Sequence, residues 1–312
     1  VVFSGFLGDK SFNDSAYEGL KKAQQDFGIE FKVLESKVPS DWETNFVSAA
    51  SDDSYDLVLA ISSQFTDIVN NHADEFKNVK IGIIDSVVKK PNVSSAIFAQ
   101  NEGSFLAGAA AALFTQKTDI PNVNGEKIIG WVGGMDIPVL QDFLTGYKQG
   151  AAYIDPQTKV LVSFAGTFND PLKGKELTLA QYSQGADIVM NVASNTGNGI
   201  LEAAKDSKKY AIGVDINQDD IYPGFILTSM LKRVDVATYN MIKQVHEGNF
   251  KGGEIVRMDA SNGGVGLTDM AVMKTALKDK FPEDILVKIN ELTEKIKKGE
   301  IKVESYPGFK VE

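Results

Sequence analysis

Apolar runs and amphipathic stretches alternate along this chain from its first residue. Val1-Val2-Phe3 is an apolar start, followed by a turn-rich polar run from Gly5 to Ser15. Tyr17, Leu20, Ala23 and Phe27 then recur at helical spacing, so the opening reads as strand, loop, helix. In a parallel α/β sheet such a loop lies at the carboxyl end of its strand, where ligands usually bind. Further strands are predicted over 31–35, 56–61, 80–85 and 93–98, with helices over 42–51 and through Phe65, Val69 and His72. These apolar runs lack strict alternation, as strands covered on both faces do. A helix rich in Ala and Gly occupies 103–115.

After a loop at 116–126 the pattern begins again. Strands are predicted over 127–132, 159–165, 188–193 and 210–215, with helices over 138–152 and 177–184 and one running from the 194–199 loop through Ala204. A strand at 226–232, a helix at 234–246, a charged helix near 283–299 and a short final strand complete the chain. Two similar open parallel sheets are the natural α/β architecture for this order.

At 312 residues, two domains are expected. The net charge of −10, from 32 basic and 42 acidic residues, argues against a nucleic-acid surface and against adhesion to anionic lipid. The sequence has no cysteine, which excludes disulfides, thiolate metal sites and cysteine nucleophiles. Its two histidines, His72 and His246, lie far apart in polar helical stretches and read as solvated helix-end residues. No apolar run approaches the ~20 residues that span a bilayer. The chain starts on a strand without Met, so a removed leader is compatible with it.

The first loop holds Asp9, Phe12, Asn13 and Asp14, with Tyr17 just beyond: aromatic rings beside amide and carboxylate groups, suited to a flat, hydrogen-bonding ligand. Gly5 to Ser11 only superficially resembles a phosphate-binding loop, because Asp9 stands where glycine is needed and would oppose phosphate. No dinucleotide fingerprint follows the first strand. The loop of Ser194, Asn195 and Gly197 precedes a helix and reads equally as a ligand-facing turn or a tight turn. Asp215 ends a strand and suits acceptance from ligand hydroxyls as well as a turn role; Asp85 and Asp136 hold similar positions. Phe168 is an aromatic in a polar loop, and Lys232 ends a later strand. The sequence carries no nucleophile elbow and no zinc-protease motif, so a binding protein fits better than an enzyme.

Taken together, these segments resemble the basic membrane protein family, the substrate-binding lipoproteins of bacterial ABC transporters. The resemblance rests on Asp9-Lys10-Ser11-Phe12-Asn13-Asp14 with Tyr17-Glu18-Gly19, on Ile84-Asp85 with Pro91-Asn92-Val93, and on Asn101-Glu102-Gly103-Ser104-Phe105-Leu106-Ala107-Gly108. It continues through Gly166-Thr167-Phe168-Asn169-Asp170, Lys173-Gly174-Lys175-Glu176, Gly185-Ala186-Asp187, Thr196-Gly197-Asn198-Gly199, Gly213-Val214-Asp215 and Ser229-Met230-Leu231-Lys232-Arg233-Val234-Asp235. It implies a type I periplasmic-binding-protein fold, with two Rossmann-like lobes and a ligand cleft between them. By that fold's habit the first lobe takes 1–106 plus 230–262, and the second takes 107–229 plus 263–312. The implied function is extracytoplasmic solute binding for an ABC importer, without cofactor or metal, by a protein held to the cell membrane through a lipid anchor upstream of Val1. The implied ligand is a purine nucleoside: adenosine, guanosine or inosine.

Carried over residue by residue, Tyr17 and Phe168 would sandwich the base and Asn13 and Asp14 would help read its edge. Asp215 and Lys232 would bind the ribose, and Ser194, Asn195 and Gly197 would add loop contacts. Gln100 is expected in the cleft, offering both a donor and an acceptor to the base. The expected partners are the nucleoside and the transporter permease, and no nucleic acid. Alternatives are the same fold binding riboflavin or a free purine base, the ligand-sensing domain of a regulator, or a nucleoside hydrolase using Asp9, Asp14 and Asp215 around a metal.

Overall fold

The computed structural model describes residues 1–309. Contacts divide them into two compact units: Val1–Phe98 with Arg233–Met258, and Ala99–Lys232 with Asp259–Phe309. The junctions thus fall after Phe98, Lys232 and Met258, up to eight residues from those expected. The reason is that the crossing elements stay whole: the helix beginning at Gln100 packs along its entire length within the second unit.

The first unit is built on one six-stranded sheet. Its strands are β1 (Val2–Phe3), β2 (Leu34–Glu35), β3 (Leu57–Ile61), β4 (Lys80–Ile84), β5 (Val93–Phe98) and β11 (Ile255–Met258), in the order β11-β5-β4-β3-β1-β2. Every pairing is parallel. Alternate residues face opposite ways. Val2, Val58, Ala60, Ile81 and Ile83 pack with Phe46 of helix α2 (Ser40–Ala50) and Val69 of α3 (Thr66–His72). On the other face Gly82 leaves room for Leu59 and for Met241 of α8 (Val234–His246), which packs beside α1 (Phe12–Phe27).

The second unit repeats the plan. Strands β6 (Ile128–Gly133), β7 (Lys159–Phe164), β8 (Ile188–Val192), β9 (Tyr210–Asp215), β10 (Ile226–Lys232) and β12 (Val265–Leu267) lie in the order β12-β10-β9-β8-β6-β7. Only β12 runs antiparallel, against β10. Helices α6 (Pro171–Ser183) and α7 (Thr196–Ser207) cover one face through Tyr182, Ile200, Leu201 and Ala204. Helices α4 (Gln100–Phe114) and α5 (Pro138–Ile154) pack closely, because a Cβ on Gly108 or Gly146 would lie 2.0 Å from the carbonyl oxygens of Tyr147 and Asn101. Two further helices, α9 (Ala271–Leu277) and α10 (Glu283–Lys297), follow.

In each sheet the chain leaves its first strand to one side, then returns to the other. The order reverses between β1 and β3, and again between β6 and β8. At such a switch point the connecting loops diverge and leave a crevice at the carboxyl ends of the strands.

Several expectations need revision. Helix α1 starts at Phe12, so Phe12, Asn13 and Asp14 lie on its first turn and not in a loop. Its early start follows from Asp9, whose carboxylate accepts from the N–H groups of Ser11, Asn13 and Asp14 at 3.0, 3.0 and 3.1 Å. Helix α6 begins at Pro171, six residues before the expected start, because Asp170 caps it by accepting from Lys173 N at 2.9 Å. No final strand exists among the described residues after α10. The short strands β11 and β12 and helix α9 are additional. Both histidines do end helices, but they are engaged: His72 bonds Glu43 and Glu75, and His246 stacks on Phe27.

Candidate functional site

In the first unit the β1–α1 loop is folded onto itself. Asp14 accepts from Gly8 N and Lys10 N, each at 2.8 Å, while Leu7 N donates to Glu35 Oε1 and Trp42 Nε1 to Ser4 O. Asp9 is buried in its capping role. Asn13 is buried as well; its Nδ2 donates to Phe6 O at 3.2 Å, and its Oδ1 has no hydrogen-bond partner among the described residues. Phe12 is half-buried at the helix start. Tyr17 lies more than a turn further on, with its ring edge-on to Phe31 at 5.9 Å and the Lys21 ammonium 5.2 Å from its centroid.

The second unit sets Phe168 beside the β6–β8 switch point. A Cβ on Gly134, just past β6, would lie 2.3 Å from Phe168 Cδ1, so the ring rests directly on glycine backbone. The Phe168 loop is tied to the loop after β8. Thr196 N donates to Phe168 O at 3.0 Å, Asp170 N to Thr196 Oγ1 at 2.8 Å, and Asn195 Nδ2 to Asn169 Oδ1 at 2.7 Å. Gly197 is required by packing, since a Cβ there would lie 2.2 Å from Asn191 Oδ1. Asp215 and Lys232, the last residues of β9 and β10, are both buried. The Lys232 ammonium lies 5.2 Å from the Phe143 ring centroid.

Four of the ten non-glycine residues held at positive φ among the described residues lie at carboxyl ends of strands. Ser62 (φ 138°) follows β3, Asp85 (66°) follows β4, Ser194 (49°) lies just past β8, and Asp215 (67°) ends β9. Such conformations are disfavoured for side chains bearing a Cβ and concentrate where function dictates the geometry.

Gln100 opens α4 and is fully buried. Its Nε2 donates to Asp142 Oδ2 at 2.6 Å, and its Oε1 has no partner among the described residues. One of its two amide N–H donors is thus engaged by Asp142. Asp142, on α5, also accepts at Oδ1 from Ser305 Oγ (2.5 Å) and Tyr306 N (2.7 Å). Burial pushes its carboxyl above the ordinary 3.8, against those hydrogen bonds and the nearby Lys232 charge. Asp219 is raised likewise by burial, although Ser229 Oγ donates to it at 2.6 Å.

Asp142 and Asp219 escaped the sequence reading. Asp142 sits inside an amphipathic helix, and its tail partners lie more than 160 residues away; Asp219 carried a signal in its acidic loop. Among the described residues no group of three histidine or acidic side chains is arranged to hold a metal. The carboxylates of Asp9 and Asp14 are both bound to backbone N–H groups of their own loop and helix start.

A family model described as "ABC transporter substrate-binding protein PnrA-like" matches residues 1–306. The chain belongs to this family, the Bmp family. Its relatives include the ABC transporter nucleoside-binding protein BmpA of Lactococcus lactis, 34% identical over 86% of this chain and 80% of that one. Basic membrane protein A2 of Borrelia garinii is 31% identical over 99% and 90%, and an uncharacterised lipoprotein of Pyrococcus horikoshii 33% identical over 95% and 81%. The crystal structure of an ABC transporter solute-binding protein from Aeropyrum pernix superposes with a TM-score of 0.89 at 29% identity, covering 96% of this chain and 91% of that one. More distant sugar-binding proteins share the fold alone, such as the glucose-galactose binding protein GanP from Geobacillus stearothermophilus with a TM-score of 0.62 at 14% identity, covering 86% and 96%. The Bmp protein described here thus has the type I periplasmic-binding-protein fold and is a substrate-binding protein of ABC transport.

Proposed function

We propose that this Bmp protein binds a purine nucleoside and presents it to the permease of an ABC importer, from an extracytoplasmic, lipid-anchored position. The observation that carries the reading is the strand-end set of the second unit: the Phe168 ring seated on Gly134, with Asp215 and Lys232 at the ends of β9 and β10. A flat base suits the ring, and a ribose diol pairs with a carboxylate acceptor and an ammonium donor. Phosphate would meet Asp215 unfavourably, which favours the nucleoside over the nucleotide. The names of the Lactococcus relative and of the lipoprotein relatives point the same way.

In the first unit Tyr17 is the stacking ring, steadied by its edge-on contact with Phe31 and by the Lys21 ammonium, with Phe12 a second aromatic at the helix start. Asn13 reads the base edge. Asp14, tied to two backbone N–H groups, holds the loop in shape. Ser194 and Asn195 join the Phe168 loop to the ligand, and the bareness of Gly197 keeps that loop seated on Asn191.

The ribose assignment is tested by titrating adenosine and 2′,3′-dideoxyadenosine into the wild type and Asp215→Asn. The wild type is expected to lose about 1.5–3 kcal/mol with the dideoxy compound, the range for hydrogen bonds to a charged group, and the variant much less. Equal affinity of the wild type for both ligands would remove the Asp215 assignment.

A further inference from the structure

The register pairing of β8 with β9 ends at Met190 and Ile212. Beyond it, two buried side-chain amides join the ends of the strands. Asn191 Oδ1 accepts from Ala193 N at 3.1 Å, and Asn191 Nδ2 donates to Gln218 Oε1 at 3.3 Å. Gln218 Oε1 also accepts from Val214 N at 2.9 Å. The backbone N–H at each end fixes how both amides are turned, and both lone pairs of Gln218 Oε1 are taken. Gln218 is itself seated. Its N–H donates to Ser229 Oγ at 3.0 Å, Ser229 Oγ donates to Asp219 Oδ1 at 2.6 Å, and a Cβ on Gly213 would lie 2.8 Å from Gln218 Oε1. The relay thus ends on the residues just before Ser194 and Asp215, which are held at φ 49° and 67°. Asp215 is the centre of a γ-turn, with Ile216 N donating to Val214 O at 2.8 Å. The positive-φ form of this turn is rare and strained, and such strain persists only where the surroundings over-determine it.

We infer that Gln218, relayed through Asn191, is a positioning residue that holds the strained Asp215 turn in the form that offers its carboxylate to ribose hydroxyls, in step with the 194–197 loop. The Gln218 carbonyl oxygen is saturated by the protein, so it acts through Asp215. Without it the Val214 N–H loses its acceptor, the turn relaxes, and the carboxylate moves off the sugar. The Phe168 ring, seated on Gly134, is not part of the relay, so the effect falls on the ribose and spares the base. The inference rests on the nucleoside reading above and assigns how that same site grips the sugar.

The experiment is calorimetric titration of adenosine and 2′,3′-dideoxyadenosine into ligand-stripped wild type, Gln218→Met, Asp215→Asn and the double variant, with thermal unfolding to confirm that each folds. Methionine keeps the length of the side chain without a carbonyl acceptor. Wild type is expected to bind adenosine at least about tenfold more tightly than the dideoxy compound. In Gln218→Met that preference is expected to fall below about threefold, with affinity for the dideoxy compound held within about twofold. General loosening of the unit would weaken both ligands alike. In the Asp215→Asn background the same substitution is expected to cost adenosine less than about twofold, the non-additivity of a residue that acts through Asp215. Asn191→Ala removes the other end of the relay; it is expected to lower the preference at least about threefold and carries the test where Gln218→Met does not fold. A preference retained in the folded variant, or equal losses in both Asp215 backgrounds, would overturn the inference and leave the nucleoside reading in place. Equal wild-type affinities for the two ligands would overturn the Asp215 assignment and the inference together. Absence of any nucleoside binding by the wild type would overturn the nucleoside reading as well.

Discussion

Gly134 illustrates how little room a single atom has at these strand ends. The Phe168 ring lies where an alanine methyl would be, 2.3 Å from Cδ1. Gly134→Ala is therefore expected to push the ring away from β6 and to weaken nucleoside binding by about tenfold, the scale of one aromatic contact. The secondary structure seen by circular dichroism is expected to stay intact. Unchanged affinity would mean that Phe168 does not contact the ligand. Asp219 offers a second test, through pH. Burial raises its carboxyl above the ordinary 3.8, so in that window the folded protein holds a proton that the unfolded chain has released. Its contribution makes stability fall as pH rises through the raised value. Asp219→Asn removes that dependence while keeping an acceptor for Ser229. The variant is expected to gain on the wild type in urea midpoint as pH rises from 4 to 7, by no more than about 1.4 kcal/mol per pH unit. A constant difference across that range would contradict the assignment.

At the scale of elements, the tight contact of α4 with α5 depends on missing side chains. A Cβ on Gly150 would lie 1.8 Å from Phe105 O, so Gly150→Ala must separate the helices and is expected to cost about 1–3 kcal/mol in chemical denaturation. Gly266→Ala, where nothing lies within 4 Å, serves as the control and is expected to stay within about 0.5 kcal/mol of wild type. Elements bounded by clear punctuation were legible to the residue: β5, β9, β10 and α8 coincide with the ranges read from the sequence. Helix starts were less legible where polar side chains serve as caps. Asp170-Pro171 carries an N-cap followed by proline at the first helical position, a signal that the apolar periodicity of 177–184 outweighed. Asp9 sits two residues before its first recipient, in a polar run that reads as loop. The tail read as a strand is instead irregular chain held by side chains of α4 and α5. Strand β11 was missed because it is a short, partly exposed edge whose pairing with β5 joins segments some 160 residues apart.

For the molecule as a whole, the repeated βα pattern made two doubly wound sheets legible, and with them the strand ends where Asp215 and Lys232 lie. The pattern could not reveal how the buried polar atoms would pair, because Gln100 meets Asp142, and Asp142 meets Ser305 and Tyr306, across long stretches of sequence. The central claim is that those strand ends serve one kind of ligand. Its most direct test is isothermal titration of protein unfolded, stripped of carried-over ligand and refolded, with adenosine, guanosine and inosine set against cytidine, adenine and ribose. The account predicts micromolar or tighter binding of the purine nucleosides, about −8 kcal/mol or better, with cytidine, adenine and ribose much weaker. No heat with any nucleoside, or tighter binding of adenine or ribose alone, would contradict it.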